Sequence, residues 1–377
     1  MRIQDVPTPA LLLDRGRLLK NAERMRARAR ALGVALRVHV KTLKCIEAAS
    51  LAVDAGRAIA VSTLHEARYF AAAGFEDICY AVCLAPNKLG EVLDLMPKAP
   101  GFSFFIDSLE VADLAARAAE SGGTRLSAWI EIDSGEHRTG IDPGDPVLLS
   151  IADRLRASRS AVLAGVATHA GQSYSCRDGA GARAVAETER AAVVRAAQRL
   201  REAGFECARV SVGSTPTALN ATSLEGVTEI RAGVYLAQDL FQAAIGSCSE
   251  SDVALSVLAT VLSRDPARNR IVVDAGGLAL SKDRSTAATA RDSGYGLVLD
   301  VAGEPTLGRL VVGNVHQEHG EIVGTAPLPF ERLPIGARVR ILPNHACMTA
   351  AMYDVYRLVE AGSTDVSGEW RRTNGWS

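Results

Sequence analysis

Short apolar runs alternate with amphipathic stretches through the first 230 residues of the chain. The apolar runs have the length and composition of buried strands, and the stretches between them have the spacing of helices. The pattern predicts strands at residues 8–14, 36–40, 58–62, 77–82, 102–106, 127–132, 162–168, 209–212 and 227–231. It predicts helices at residues 15–32, 46–55, 65–73, 87–95, 108–121, 146–157 and 180–203.

The eight strands between residues 36 and 231 alternate regularly with helices, which is typical of a (β/α)8 TIM barrel. A doubly wound open sheet has the same local pattern, so periodicity alone leaves both folds open. After residue 244 the chain becomes rich in β-type runs separated by Gly and Pro, which predicts a mostly antiparallel β domain. We therefore expect an α/β protein with a barrel over residues 15–245 and a β domain formed by residues 1–14 and 246–377.

The composition is that of an ordinary globular protein, with 48% hydrophobic and 23% charged residues among 377. A net charge of −1 provides no basic field for nucleic acid, and no apolar run approaches the roughly 20 residues of a membrane helix. The N-terminus lacks the apolar segment of a signal peptide. The seven cysteines are odd in number and irregularly spaced, which is typical of reduced thiols. We expect a cytoplasmic protein without nucleic-acid or membrane partners.

Lys41 directly follows the apolar run at residues 36–40. In a barrel or an open α/β sheet, the C-terminal ends of the strands carry the chemistry. Lys41 is then either a solvated charge that ends a strand or a lysine that forms a Schiff base with a carbonyl cofactor.

Two glycine-containing segments follow the last two predicted barrel strands and could bind phosphate. The first offers backbone N–H groups and the hydroxyls of Ser214 and Thr215, and the second contains Gly233, Val234 and Tyr235. Either segment alone is equally consistent with an ordinary turn. Together they match the phosphate site that recurs after strands seven and eight of barrel enzymes.

A lysine, a phosphate site and planar side chains in one barrel indicate pyridoxal phosphate. Lys41 would form the Schiff base, His169 would stack on the pyridine ring, and Arg138 would bond its 3′-oxygen, with Tyr174 close by. Taken alone, His169 is better explained as a hydrogen-bonded histidine of the barrel, and it is the combination of residues that favours the cofactor role.

His345 and Cys347 form a candidate metal pair in the β domain. On a strand, positions i and i+2 point to the same face, where the two side chains could bind a zinc or manganese ion. Two protein ligands leave room for water and substrate, as a Lewis-acid catalyst requires. His316 and His319 are further candidate ligands, although for Glu318 and His319 we favour a role in the active site or around the metal ligands.

In these segments the chain resembles the fold-type III, pyridoxal-phosphate-dependent family of D-serine dehydratases and D-threonine aldolases, whose barrel is related to that of alanine racemase. The family's lysine motif matches His-Val-Lys-Thr at 39–42, although Val38 departs from the Arg-Pro that usually precedes it. The cofactor-binding segments match residues 168–171, 213–216 and 231–235, and the dehydratase form of the metal pair matches residues 344–347. The resemblance covers nearly the whole chain.

The resemblance implies pyridoxal 5′-phosphate, one divalent metal ion (Zn²⁺ or Mn²⁺) and a homodimer in which one barrel faces the partner's β domain. It implies β-elimination from a small D-3-hydroxy amino acid, with Lys41 as the base at Cα and the metal on His345 and Cys347 at the β-hydroxyl. Residues 61–64, 211–217 and 252–260 are most similar to the dehydratases that convert D-threo-3-hydroxyaspartate to oxaloacetate and ammonia. The alternatives are a D-serine dehydratase, an aldolase that releases glycine and an aldehyde, and a non-catalytic pyridoxal phosphate carrier.

Overall fold

The computed structural model describes residues 1–54 and 57–376. The chain divides into two compact units, one formed by Met1–Glu23 with Val234–Asn374 and the other mainly by Arg24–Gly233. The sequence placed these divisions after residues 14 and 245. Ala55, the last residue of a predicted helix, and Ser377, the end of the predicted β domain, lie outside the described residues.

Strands and helices alternate through residue 232 as the hydrophobic pattern predicts. The strands are β1 Ala10–Asp14, β2 Ala35–His39, β3 Ile59–Val61, β4 Ile78–Cys83, β5 Ser103–Ile106, β6 Leu126–Ile132, β7 Ala161–Thr168, β8 Val210–Val212, β9 Glu229–Ala232, β10 Leu255–Asp265, β11 Arg270–Val273, β12 Leu297–Leu299, β13 Leu310–Val315, β14 Gly320–Val323, β15 Arg338–Leu342, β16 Val355–Val359 and β17 Gly368–Arg371. The helices are α1 Arg15–Ala31, α2 Ile46–Ala52, α3 Leu64–Ala72, α4 Leu89–Leu95, α5 Leu109–Gly122, α6 Val147–Ala157, α7 Gly179–Glu202, α8 Thr215–Asn220, α9 Leu240–Ala244, α10 Gly277–Leu280 and α11 Ala346–Ala350. The four short helices α8 to α11 are additional to the predicted ones.

Strands β2 to β9 are parallel and close into a barrel where β9 pairs with β2. Closure rules out the doubly wound alternative, because an open sheet has two unpaired edge strands. Every residue of β3, β5, β8 and β9 is buried, as expected for strands covered by helices outside and side chains inside. The predicted barrel strands are all confirmed, each within two residues of its expected bounds.

Helix starts follow the capping signals of the sequence. The Ser108 hydroxyl accepts a hydrogen bond of 3.3 Å from the Val111 N–H and caps α5. Helix α6 begins at Val147, one residue later than predicted, and Asp145 Oδ1 accepts the Val147 N–H at 2.8 Å. Pro146 precedes the first helical residue, a place that costs no hydrogen bond because proline has no N–H.

A buried ion-pair network joins the two strands that close the barrel. Arg37 on β2 is 2% exposed, and its Nε lies 3.0 Å from Glu229 Oε1 on β9. The same guanidinium lies 2.8 Å from Asp77 Oδ1. Because a buried charge is stable only when it is paired, this network ties the barrel's first strand to its last.

The other unit is built on one mostly antiparallel sheet, in the order β11-β14-β13-β12-β15-β10-β1-β16-β17. Strand β1 comes from the N-terminus and pairs antiparallel with β10 and parallel with β16. This confirms the second β domain expected from the sequence. Among the described helices, none has the length and apolarity to cross a membrane.

Candidate active site

Lys41 lies in the turn directly after β2, at the C-terminal end of a barrel strand, and is exposed. Its backbone N–H donates to His39 Nδ1 at 3.4 Å, so the His39 ring braces the turn that carries the lysine. Burial, assisted by the positive charges of Lys41 and Arg231, holds the pKa of His39 well below its usual range. His39 is therefore a neutral imidazole and adds no charge beside Lys41.

His169 follows β7 at the same end of the barrel. Its Nδ1 contacts the carbonyl oxygen of Gly213. Burial, with the charges of Lys41 and Arg231, lowers the pKa of His169 to about 3. The Tyr174 ring lies 6.4 Å away between centroids, at an angle of 42°. The imidazole is thus neutral, as a ring that stacks on a pyridine should be.

Arg231, at the end of β9, was not among the residues assigned a role from sequence. It is 4% exposed and donates to the Ser211 hydroxyl at 2.6 Å and to the Thr168 carbonyl at 2.7 Å. Its guanidinium lies 5.0 Å from the centroid of the Phe105 ring. Among the described residues, no carboxylate lies within ion-pair distance of it. The signal for Arg231 was its place in the matched segment at residues 231–235.

A hydroxyl cluster surrounds the turn after β8. Ser214 Oγ lies 2.9 Å from Ser173 Oγ and 2.9 Å from Thr217 Oγ1, and Thr215 is buried beside them. These hydroxyls and the buried cation Arg231 provide donors that fit an anionic phosphate-bearing cofactor.

The structure requires glycine in the predicted phosphate segments for a different reason from the one inferred from the sequence. A Cβ on Gly233 would lie 2.3 Å from the His39 carbonyl oxygen, and one on Gly213 would lie 1.9 Å from the Arg231 carbonyl oxygen. Their missing side chains therefore make room for neighbouring barrel strands rather than for a ligand. Val234 and Tyr235 are buried in a short turn that belongs to the other unit.

Arg138 lies in the loop after β6, and its side chain is 57% exposed. Its Nη1 is 3.4 Å from Glu136 Oε1, whose carboxylate packs against Gly171. The charge of Arg138 also contributes to the lowered pKa of His169. The barrel therefore brings Arg138, Lys41 and His169 to the same end.

His345 and Cys347 do not lie on a strand. The prediction that they share one face of a strand is therefore wrong. Strand β15 ends at Leu342, His345 precedes α11, and Cys347 lies in the helix's first turn. The short helical turn still brings the thiol close enough to the imidazole for Cys347 to raise the pKa of His345.

Asp283 orients the imidazole of this pair. His345 Nδ1 lies 2.9 Å from Asp283 Oδ2. Burial opposes a charge on the ring, but the bonds with Asp283 and Cys347 outweigh it and raise the pKa of His345 to about 11. The bond from His345 lowers the pKa of Asp283 to about 2. A carboxylate on one ring nitrogen leaves the other for a metal, the usual outer-shell arrangement of metal-binding histidines.

Buried polar contacts fix the backbone on both sides of His345. Asn344 is fully buried, donates to the Asp283 carbonyl at 3.1 Å and accepts from the Thr286 hydroxyl at 3.0 Å. The Ala346 N–H donates to Asp239 Oδ2 at 3.0 Å. The pair is therefore held on a rigid segment.

The described part of the chain contains no group of three His, Cys, Asp or Glu side chains arranged to hold a metal. His316, a candidate third ligand from sequence, instead lies 3.4 Å from Glu321. An imidazole and a thiolate fit a borderline-soft ion such as zinc, and two protein ligands leave positions for water and substrate.

Comparison with known proteins agrees with this architecture. The family described as "Alanine racemase, N-terminal domain" matches residues 13–239, and that described as "Putative serine dehydratase domain" matches residues 254–359. D-threo-3-hydroxyaspartate dehydratase of Delftia sp. (strain HT23) is 44% identical over 98% of each chain. D-serine dehydratase of Dictyostelium discoideum is 31% identical over 95% of this chain and 94% of its own.

A solved structure is similar over its whole length. It is a mutant of D-threo-3-hydroxyaspartate dehydratase in the metal-free form, with 42% identity, a TM-score of 0.94 and full coverage of both chains. The chain therefore belongs to the D-serine dehydratase family of enzymes, in which an alanine-racemase-type barrel is joined to a serine dehydratase domain.

Proposed function

We propose that this protein is a pyridoxal-phosphate- and divalent-metal-dependent ammonia-lyase that eliminates the β-hydroxyl of a D-3-hydroxy amino acid. The proposed substrate is D-threo-3-hydroxyaspartate, which yields oxaloacetate and ammonia. The observation that carries the proposal is the His345–Cys347 pair with Asp283 2.9 Å from the imidazole. Expulsion of a hydroxyl needs an electrophile at the β-oxygen, whereas racemisation at Cα does not. The identity of 44% with a relative of that name supports the substrate.

Each unit would hold one group. Lys41, His169 and Arg231 would hold pyridoxal phosphate, with the hydroxyls around Ser214 at its phosphate, and His345 with Cys347 would hold the divalent ion. When bound, the cofactor supplies an electron sink for charge at Cα, and the ion supplies a Lewis acid for the hydroxyl. The metal-free form of a relative's mutant supports a metal in this family.

The protein's own groups determine the course of the reaction. The Lys41 amine takes the proton from Cα, and because it approaches from one face it sets the preference for D substrates. The ring of His169, whose pKa of about 3 keeps it uncharged, would pack beside the cofactor without titrating in the working range. Arg231 stabilises negative charge inside the barrel, where no carboxylate of the described residues lies within ion-pair distance of it.

We infer a homodimer in which the metal pair serves the partner's barrel. An apolar patch beside the metal pair supports this: Leu278 on α10 is 43% exposed, Met348 on α11 is 52% exposed, and Met352 just after α11 is 58% exposed. Exposed apolar side chains gathered next to a site are typical of an interface. The free cysteines agree with a reducing compartment, and we propose a cytoplasmic location.

A substrate panel tests the function. The purified protein is incubated with D-serine, D-threonine, D-threo-3-hydroxyaspartate and D-erythro-3-hydroxyaspartate, before and after chelation and with zinc or manganese restored. We expect equal amounts of 2-oxo acid and ammonia, with the highest kcat/KM for D-threo-3-hydroxyaspartate and only in the presence of metal. Glycine with an aldehyde would identify an aldolase instead. A yellow protein without turnover would identify a cofactor carrier.

A further inference from the structure

Glu189 is a buried acid of the barrel that the reaction above does not use. It lies on α7, is 2% exposed, and has no basic side chain within ion-pair distance among the described residues. Burial raises its pKa. A carboxylate without a close ion pair is costly to bury, so its presence depends on the groups that it bonds and on the more distant charge of Arg231.

One carboxylate oxygen of Glu189 joins two loops at the C-terminal end of the barrel. Its Oε1 accepts the N–H of Ala170 at 3.1 Å and the N–H of Gly213 at 2.9 Å. Ala170 directly follows His169 in the loop after β7, and Gly213 directly precedes Ser214 in the loop after β8. The acid therefore bridges the ring-stacking and the phosphate-binding segments.

The Gly213 peptide is held from both sides. Glu189 takes its N–H, and His169 Nδ1 contacts its carbonyl oxygen. The Thr217 hydroxyl lowers the pKa of Glu189 and lies 2.9 Å from Ser214 Oγ, so the surroundings of Glu189 extend to the phosphate-binding hydroxyl. Moving Glu189 would therefore shift Ser214 relative to His169.

We propose that Glu189 is a positioning residue that sets the distance between His169 and Ser214 for the two ends of one bound cofactor. The inference rests on the proposed use of pyridoxal phosphate. Without the acceptor, the N–H groups of Ala170 and Gly213 lose their partner, and the two loops are no longer joined at that point. His169 and Ser214 can then no longer contact the ring and the phosphate of one cofactor at the same time. The phosphate therefore contributes less to the binding free energy.

The test compares two probes, pyridoxal 5′-phosphate and pyridoxal, by their dissociation constants for protein freed of cofactor. The dissociation constant of pyridoxal divided by that of pyridoxal 5′-phosphate measures how much the phosphate adds to binding. Glu189→Asp is one methylene shorter and cannot reach both loops. Its ratio should fall about tenfold, which is the effect expected when the charged phosphate loses one hydrogen bond. Glu189→Gln keeps a carbonyl oxygen as acceptor, and its ratio should stay within about threefold of wild type.

Two further variants complete the design. Glu187→Asp makes the same change on the same helix, where Glu187 pairs with Arg190 at 2.6 Å on the exposed side, and should leave the ratio unchanged. Glu189→Met removes the acceptor while relieving the burial of a charge, so it provides a folded variant even if the aspartate variant unfolds. Its ratio should fall as for Glu189→Asp.

The outcomes separate the role of Glu189 from the proposed function. A merely structural defect weakens both probes equally and leaves the ratio unchanged, so a wild-type ratio in folded Glu189→Asp or Glu189→Met overturns the inference. An equal drop in Glu189→Gln also overturns it, since the charge rather than the acceptor would then matter. A wild-type protein that binds neither probe would overturn the proposed function and this inference with it.

Discussion

Replacing Asp283 tests the geometry of the proposed metal pair. Its Oδ2 lies 2.9 Å from His345 Nδ1, so the carboxylate fixes the ring and leaves the other nitrogen for a metal. Removing such an outer partner weakens metal affinity about 10- to 100-fold, or ~1.4 to 2.7 kcal/mol. Glu321 provides a matched control, because it forms the same kind of pair with His316, whose side chain is 61% exposed.

The magnitude depends on what replaces the carboxylate. Asparagine keeps a carbonyl oxygen that can accept from Nδ1, so Asp283→Asn should lose about tenfold in zinc affinity. Alanine leaves the nitrogen without that partner, so Asp283→Ala should approach about 100-fold. Competition with a chromophoric chelator measures both constants, and circular dichroism confirms the fold. Zinc binding within twofold of wild type for Asp283→Ala refutes the reasoning, as does an equal loss for Glu321→Gln.

Three further predictions concern the lysine, the metal and the barrel closure. Lys41→Ala should lose both the visible absorbance of the bound cofactor and all turnover, measured on the purified protein at equal cofactor concentration. Dialysis against EDTA should abolish elimination, and added zinc or manganese should restore it; unchanged turnover in the dialysed enzyme would contradict the metal role. Glu229→Gln should lower the free energy of unfolding by about 3 kcal/mol in urea titrations, because it leaves the buried Arg37 charge with Asp77 alone. Burial would raise the pKa of Glu229, but Arg37 outweighs burial and lowers that pKa. The stabilisation by Glu229 should therefore be complete above pH 4.5 and be lost as the pH falls towards the lowered pKa. This pH dependence should be absent from Glu229→Gln.

The barrel was predictable because its strands are short, continuous apolar runs. Strands β3, β5, β8 and β9 are buried along their whole length, so nearly every residue in them carries the signal. Capping residues such as Ser108 fixed helix starts within one residue. Closure itself could not be predicted, since it depends on the pairing of β9 with β2 and on the contact of Arg37 with Glu229, 192 residues away in sequence.

The site was predictable only where its residues follow strands or repeat a family motif. Lys41 and His169 follow β2 and β7 directly, and topology alone places both at one end of the barrel. Asp283 lies 62 residues from His345, and no local pattern links them. The segment after β15 was predicted to be extended because a helix as short as α11 has too few residues to show a helical period.

The glycines of the predicted phosphate segments show how fold and site constrain one sequence. A side chain on Gly213 would collide with the backbone of β9, and one on Gly233 with that of β2. Glycine at both positions is therefore required by barrel closure whether or not a phosphate binds. The signal for an anion site lies in the polar side chains of these loops, such as the buried charge of Arg231 and the hydroxyl of Ser214, because an ordinary turn requires neither.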